Sequence, residues 1–410
     1  MKCIMVTDMP QKEINWKLNL VIVAIAQFLA MVGTGCCQPF IPLFIRENLG
    51  IVDEQLRGVY VSLYFMAGMI ALTLAYPFWG RLADRFGRKR MLLRASYAAT
   101  FTYPLMYFAP NIWVLLLIRL ISCFLAGTVV PARTLLVTTS PKEKHGMILG
   151  TLLAVMECGH VAGYLVGGLL VHYFGYFTSF MACGSVYLTS ALLVHIFTRE
   201  NFVPMVKEKA EKLKLRELAS PALLWLLGIA FIFSISRRME DPFIPVLTEH
   251  IVGIKEAALY TGIISSAASV GGVLAGLSVG WFCEKFKPER LIYVLLFFCG
   301  TGAIFQACSR DILSLIISRF FVIFMAAGFT PVIQILLLKI TKPEYQGSVF
   351  GWQASMSSLG GLVCSFFAAG LTYQFGVRSI FFSSAGILFL LFVLMFPALR
   401  MIRKEALPEQ

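Results

Sequence analysis

Several ionisable side chains lie inside long apolar stretches of this chain, where a carboxylate can take up and release a proton. Glu157 and His160 lie in the stretch 147–173 and, at 100° per residue, project within about 60° of each other on a helix. A carboxylate in dry surroundings holds a proton more readily than one in water. We therefore expect Glu157 to carry a proton, with His160 as a relay and Arg119 as a counter-charge. The alternative is a structural Glu–His or Glu–Arg pair.

A second group of charges interrupts the apolar stretch 221–248. Arg237, Glu240 and Asp241 fall in its latter half, where they would contact a bound molecule or line its exit. Another arginine, Arg238, directly follows Arg237, and two adjacent arginines favour an anionic ligand. The alternative is that the apolar helix ends near Ile235 and that the charges lie outside it.

The first apolar stretch, 18–45, has no acidic residue, and its main polar candidates are Gln27 and Gln38. Its end, residues 38–42 (QPFIP), resembles residues 241–245 (DPFIP). Residues 38–42 lie inside the end of the first apolar stretch. By analogy, residues 241–245 should lie at the end of a helix, so the helix should continue past Arg237 and Glu240.

The composition places these side chains in membrane helices. The 410 residues are 58% hydrophobic and 14% charged, whereas soluble domains are about 25% charged. The net charge of +13 does not indicate a nucleic-acid partner, since Lys and Arg lie in short clusters between apolar blocks. The sequence has no phosphate loop, metal-ligand cluster or catalytic constellation. We therefore expect neither an enzyme nor a bound metal or cofactor.

The apolar blocks predict twelve membrane helices, each near the 20 residues that cross a bilayer. Their approximate limits are 18–45, 59–79, 91–109, 113–132, 147–173, 177–198, 221–248, 259–282, 291–308, 312–338, 348–374 and 379–401. An even number places both termini on one side. Lys and Arg concentrate in the connections on that side, which predicts that it is cytoplasmic.

The two halves of the chain repeat each other at an offset of about 200 residues. Arg119 corresponds to Arg319, and Pro131 to Pro331. Such a duplication predicts two six-helix bundles with a binding site between them near mid-membrane. The expected division is 1–198 for the first bundle, 199–219 for a hydrophilic cytoplasmic linker and 220–410 for the second bundle.

The segment 80–90 (GRLADRFGRKR) is a short basic connection between two apolar blocks. Gly80 and Gly87 allow tight turns and close helix approach. Asp84 is the only carboxylate among its cations, which include Arg85 and Arg88. The second half contains an imperfect copy of this segment at 280–286.

Segment 80–90 matches a loop motif of the major facilitator superfamily nearly residue for residue, and the chain resembles that superfamily over its whole length. Residues 14–17 (INWK) and 77–84 (PFWGRLAD) are similar to the drug:proton antiporter family, in its twelve-span multidrug-resistance branch. The resemblance implies the major facilitator fold, an all-α membrane protein with two pseudo-symmetric six-helix bundles. It also implies that Asp84, Arg85 and Arg88 form a latch closed toward the cytoplasm. The alternative is that the basic segment only fixes topology.

The resemblance also implies a role for Arg119 as the cation of the antiporter motif in span four, linked to proton transfer. The glycine expected four residues later is Cys123 here. The alternative is a structural arginine bonded to backbone carbonyls.

Span five resembles the antiporter signature through its helix-packing glycines, Gly159, Gly163, Gly167 and Gly168. The first three share one helical face and allow close approach of another helix. The family's proline after the second glycine is Tyr164 here, so the expected kink is absent. Ordinary small-residue packing is the alternative.

These features predict a secondary transporter that exports drugs or amphipathic metabolites by alternating access, with the proton gradient as its energy source. The alternative is import or export of an anionic metabolite such as a carboxylate siderophore; a sensor on the same scaffold would carry a larger soluble domain. The expected partners are a small-molecule substrate, protons and the lipid bilayer, with no nucleic acid. We expect a monomer in a bacterial inner membrane, with both termini cytoplasmic.

Overall fold

The computed structural model describes residues 15–125, 127–201, 220–341 and 345–405, and every regular element in these ranges is helical. We label as one helix any stretch interrupted only by a short turn. The first six are α1 (Trp16–Glu47), α2 (Glu54–Phe86), α3 (Arg88–Tyr107), α4 (Ile112–Thr139), and α5 and α6, the parts of His145–Phe197 before and after Gly175. The last six are α7 (Pro221–Val252), α8 (Ile254–Lys285), α9 (Pro288–Cys308), α10 (Ile312–Ile340), α11 (Gln346–Phe375) and α12 (Arg378–Glu405).

Ten helices in the described ranges are long and apolar enough to cross a membrane. The 53-residue helix His145–Phe197 counts once among them, although Gly175 divides it into two. The 20-residue α3 is not among the ten, and its first two turns carry four basic residues. The helices are thus consistent with the twelve predicted spans. Some extend past the predicted limits; α2, for example, continues to Phe86 rather than 79.

Two equivalent glycines divide neighbouring helices in the two halves. Gly175 and Gly376 have φ angles of +77° and +75°, a left-handed conformation that glycine adopts without steric cost. Gly175 separates α5 from α6, and Gly376 separates α11 from α12. The repeat seen in the sequence is therefore also a repeat of backbone conformation.

Small residues bring helices into close contact within each half and between the halves. A Cβ atom on Gly159, Gly163 or Gly167 of α5 would lie 2.6–2.7 Å from the backbone of α1. Gly168, next to them, faces α8 instead, where a Cβ would lie 3.0 Å from the Ala258 carbonyl oxygen. In the second half, a Cβ on Gly360 of α11 would lie 2.5 Å from the backbone of α7.

The two halves meet along the helix pairs α2–α11 and α5–α8. Where α2 and α8 begin, the fit is tight: a Cβ on Gly58 would lie 2.0 Å from the Thr372 side chain, and one on Gly262 would lie 2.5 Å from the Tyr164 carbonyl oxygen. Toward the other end of the helices, a Cβ would meet nothing within 4 Å at Gly80, Gly146, Gly150, Gly276 and Gly351. We call the first end of the molecule the closed end and the other the open end.

Buried apolar side chains follow the same asymmetry. One core cluster crosses both halves and contains Phe44 of α1, Leu247 of α7 and Phe381 of α12. The other cluster lies within the last six helices and contains Leu226 and Met395. Apolar packing therefore holds the halves together at the closed end, and the space between them begins toward the open end.

Candidate functional site

Two adjoining cavities lie between the halves, beside the short turn Asp241–Phe243 of α7. Their volumes are about 260 and 310 Å³, and ligand pockets begin near 300 Å³. Both are lined by Gln38, Phe65, Asp241 and Pro242. The helix of α7 continues through this turn to Val252, so it does not end near Ile235 and the charges of α7 belong to the interior.

The two cavities differ in charge. Arg119 and Arg238 line the first, which we call the basic lobe, and Asp241 is its one carboxylate among the described lining residues. Glu157 and Asp241 line the second, the acidic lobe, together with Arg319. Asp241 lines both lobes. It lies between a region dominated by guanidinium groups and one that contains an additional carboxylate.

Glu240 is fully buried beside these lobes and is held by three donors. Its Oε2 accepts hydrogen bonds from Arg237 Nη1 at 3.1 Å and from Arg319 Nη1 at 2.7 Å. Its Oε1 accepts the Ser384 hydroxyl. A buried carboxylate is tolerated when it is paired and fully hydrogen-bonded. Glu240 therefore ties α7 to α10 and α12 rather than facing a ligand.

Asp241 has a different environment from its neighbour Glu240. Its side chain is 58% exposed and forms an ion pair with Arg319 Nη2. Arg237 Nη2 lies 3.9 Å from the same carboxylate. The two carboxylates and the two arginines balance one another, and only Asp241 among the four is substantially accessible from the cavities.

Arg119 is buried in the first half without a carboxylate partner among the described residues. Its guanidinium lies 4.6 Å from the ring centroid of Tyr64. With the Gln38 amide oxygen turned toward it, both terminal nitrogens donate to that oxygen at 3.1 Å. A Cβ on Gly68 would lie 3.0 Å from its Nε, so this glycine leaves room for the arginine.

The sequence analysis predicted that Arg119 is the counter-charge of Glu157. In the structure these two side chains are not paired. Glu157 has a 40% exposed side chain in the acidic lobe, and its ion-pair partner is His160, with Nδ1 and Oε2 3.7 Å apart. The His160 ring stacks on Tyr164 at 5.7 Å between centroids. Arg119 lines the other lobe because α4 and α5 present these side chains to different parts of the interface.

Two predicted cavity residues face elsewhere. Gln27 is fully buried within the first half, where its Oε1 accepts a hydrogen bond from the Thr128 hydroxyl at 3.3 Å. Arg237 is engaged with Glu240, whereas Arg238, one position later, is exposed in the basic lobe. Sequence reasoning chose the wrong arginine of the pair for the cavity lining.

Segment 80–90 packs against the end of α6 in this conformation. Gly87 has φ +96° and separates α2 from α3. The backbone N–H groups of buried Arg88 and of Lys89 donate to the Glu200 carboxylate at 2.9 and 2.8 Å, which places an anion at the N-terminus of α3. The exposed Arg85 lies over Phe86, and Gly80 has open space around it. The Asp84 side chain lies outside the described residues, so the latch stays a prediction.

The closed end carries ion pairs between the halves that sequence reasoning missed. Glu249 of α7 accepts hydrogen bonds from Arg46 of α1 and from Arg57 of α2, the latter at 2.8 Å between Nη1 and Oε2. Glu54 of α2 lies 2.8 Å from Nε2 of His250. We call these five side chains the closed-end cluster. A signal existed: Arg46 and Glu249 are 203 residues apart, the offset that relates residues 38–42 to 241–245.

Comparison with known proteins agrees with this architecture. The profile of the Major Facilitator Superfamily matches residues 23–311 and 300–409. The chain is 33% identical over 373 residues to a protein from Lactococcus lactis named multi-drug resistance efflux pump PmrA homolog. The aligned residues cover 88% of this chain and 91% of that protein. It is 30% identical over 387 residues to multidrug resistance protein MdtG of Salmonella schwarzengrund, covering 93% and 94%.

Solved structures share the fold at low sequence identity. A bacterial homolog of the human lysosomal transporter Spinster, in an inward-facing and occupied conformation, superposes with a TM-score of 0.77 at 16% identity, covering 95% of this chain and 98% of that chain. The nucleoside transporter NupG superposes with a TM-score of 0.74 at 14% identity, covering 93% and 98%.

Two helical halves that enclose a cavity, closed at one end and open at the other, are the architecture of secondary transporters. The chain belongs to the Major Facilitator Superfamily. The superfamily profile matches most of its length, and the two named relatives are at least 30% identical to it over most of both chains.

Proposed function

We propose that this transporter exports drugs or amphipathic metabolites by alternating access, in exchange for protons. The observation that carries the proposal is the cavity pair between the halves, which combines apolar walls with a few accessible charges. Such walls, rich in Phe and Met, suit varied apolar ligands. The names of the relatives, which describe multidrug resistance and efflux, support the same direction and substrate class.

The open end is the cytoplasmic side in this proposal. Segment 80–90, with five Lys or Arg residues, and the α8–α9 connection, with Lys285 and Lys287, belong to that end. The positive-inside rule assigns such connections to the cytoplasm. The conformation described here would then be the one that receives substrate from inside the cell. Both termini would be cytoplasmic, and the bacterial relatives support an inner-membrane location for a monomer with bundles at 1–198 and 220–410.

Proton coupling is assigned to the carboxylates that reach the cavities. Glu157 and Asp241 have side chains that are 40% and 58% exposed, whereas Glu240 is enclosed by two arginines and a serine. An accessible carboxylate can bind a proton from one side of the membrane and release it to the other as the halves rock. Glu157 is our first candidate because Arg319 does not neutralise it. No cofactor is required, since the proton gradient supplies the energy.

The test uses purified protein in liposomes that contain a pH-sensitive dye, with a hydrophobic cationic dye as the transported probe. Probe-dependent proton movement should occur with the wild type and be lost in Glu157→Gln, while Glu256→Gln, at the closed end, should retain it. Movement that persists in Glu157→Gln but is lost in Asp241→Asn would transfer the coupling role to Asp241. Absence of probe-dependent proton movement in the wild type would refute proton-coupled export.

A second candidate function is transport of an anionic metabolite, which the two arginines of the basic lobe favour. Polycarboxylates added to the same liposomes distinguish the two. A response to polycarboxylates with none to the cationic probe would replace the drug-export proposal by this one.

A further inference from the structure

The charges of the two lobes define a narrower substrate class, an inference that rests on the proposed function. We propose that the cavities bind one molecule that carries both a carboxylate and a protonated amine on an apolar frame. The carboxylate would lie in the basic lobe near Arg119 and Arg238. The amine would lie in the acidic lobe near Glu157.

The cluster between the lobes contributes no net charge. Arg237 and Arg319 balance Glu240 and Asp241 through contacts that include 2.7 and 3.1 Å hydrogen bonds. A ligand therefore senses chiefly the remaining groups, which are the two arginines of one lobe and the single carboxylate of the other.

The two guanidinium groups of the basic lobe, those of Arg119 and Arg238, form no ion pair among the described residues. Arg119 contacts the Gln38 amide oxygen and the Tyr64 ring, and its Nε forms no hydrogen bond with any described residue. Among the described residues, Arg238 Nη1 donates to the Met69 sulfur at 3.9 Å. Guanidinium groups bind carboxylates through paired, charge-assisted hydrogen bonds. A substrate carboxylate would thus supply the counter-charge that the described protein residues do not.

The acidic lobe offers the opposite preference. Glu157 points into it with His160 as its ion-pair partner at 3.7 Å, longer than a direct hydrogen bond. The Glu157 side chain is 40% exposed, so its carboxylate is open to a ligand in the lobe. Phe65 lines both lobes and provides the apolar surface for the frame.

The test measures equilibrium binding to the purified, full-length transporter at pH 8, so that the result does not depend on proton coupling. The probe is a biphenyl frame with an aminomethyl group at one end and a carboxylate at the other. Its methyl ester keeps only the amine charge, its N-acetyl derivative keeps only the carboxylate charge, and the N-acetyl ester has neither. We expect the zwitterion to bind about tenfold more tightly than either singly charged derivative.

Two variants separate the lobes. Arg238→Gln should weaken the two carboxylate-bearing compounds about tenfold and leave the ester unchanged. Glu157→Gln should weaken the two amine-bearing compounds and leave the N-acetyl acid unchanged. Arg310→Gln, an exposed arginine outside the cavities, is the matched control.

The inference is overturned if the ester binds as tightly as the zwitterion, or if a lobe variant weakens all four compounds alike. It is also overturned if none of the four binds to protein that transports the hydrophobic cationic dye in liposomes, an outcome that leaves the proposed function intact. Failure to move that dye would instead count against the proposed function.

Discussion

The closed-end cluster gives the sharpest test of how the two halves separate. In Glu249→Gln, Arg57 loses its anionic partner, although its side chain is only 2% exposed. Removing one member of a buried ion pair costs about 3–5 kcal/mol. This cost falls on the conformation closed at this end, because water reaches the arginine once the halves part. The equilibrium should therefore shift at least about 100-fold toward the opposite conformation.

Distances between spin labels measure this shift directly. Val52→Cys with Leu313→Cys reports on the closed end, and Phe86→Cys with Phe286→Cys reports on the open end, in a background without native cysteines; all four positions are exposed. With Glu249→Gln, the first distance should lengthen and the second should shorten.

The control and a second variant make the reasoning refutable. Glu256→Gln removes a carboxylate from the same end, and Glu256 forms no ion pair among the described residues, so both distances should stay as in the wild type. Arg57→Gln should shift both distances in the same direction but less, because Arg46 still pairs with Glu249. Combining it with Glu249→Gln should give less than the sum of the two shifts, because both changes remove the Arg57–Glu249 contact. Unchanged label distances in Glu249→Gln would refute the idea that this cluster holds the end closed.

Three further predictions concern single contacts. Arg319→Lys keeps the charge but cannot bridge two carboxylates as a planar fork does, so thermal stability in detergent should fall, whereas Arg310→Gln should leave it unchanged. Gly163→Ala places a Cβ 2.6 Å from the Val32 carbonyl oxygen and should cost about 1–3 kcal/mol in unfolding; Gly150→Ala, in open space on the same helix, should not destabilise. Glu200→Gln should cost about 0.5–1 kcal/mol at the start of α3, seen as faster tryptic cleavage of segment 80–90; unchanged cleavage would contradict that capping role.

The fold was predictable because a bilayer imposes it. Each apolar block must satisfy its backbone hydrogen bonds internally, so it forms a helix. The observed helices follow the apolar blocks, and the breaks at Gly175 and Gly376 follow the sequence repeat. Helix ends were less predictable, since the polar last turns of α2 stay helical beyond the apolar region.

The site was predictable only in part, because sequence periodicity fixes directions within one helix but not the rotation of that helix against others. Helix α7 continues past its charges to Val252, which the likeness of residues 241–245 to 38–42 had favoured. Which of two adjacent arginines faces the cavity depends on how α7 packs on α11, where a Cβ on Gly360 would lie only 2.5 Å from the Phe231 carbonyl oxygen. That rotation directs Arg238 to the basic lobe and Arg237 toward Glu240.

The repeat explains part of the difference in charge between the two lobes. Gln38 and Asp241 occupy equivalent positions in the two halves, and both line both cavities. Each contacts the equivalent arginine of its own half: Gln38 contacts Arg119, and Asp241 contacts Arg319. The amide leaves the charge of Arg119 uncompensated, whereas the carboxylate neutralises Arg319. The difference between Gln38 and Asp241 is thus one source of the unequal charges, to which Arg238 adds a cation in the basic lobe and Glu157 a carboxylate in the acidic lobe.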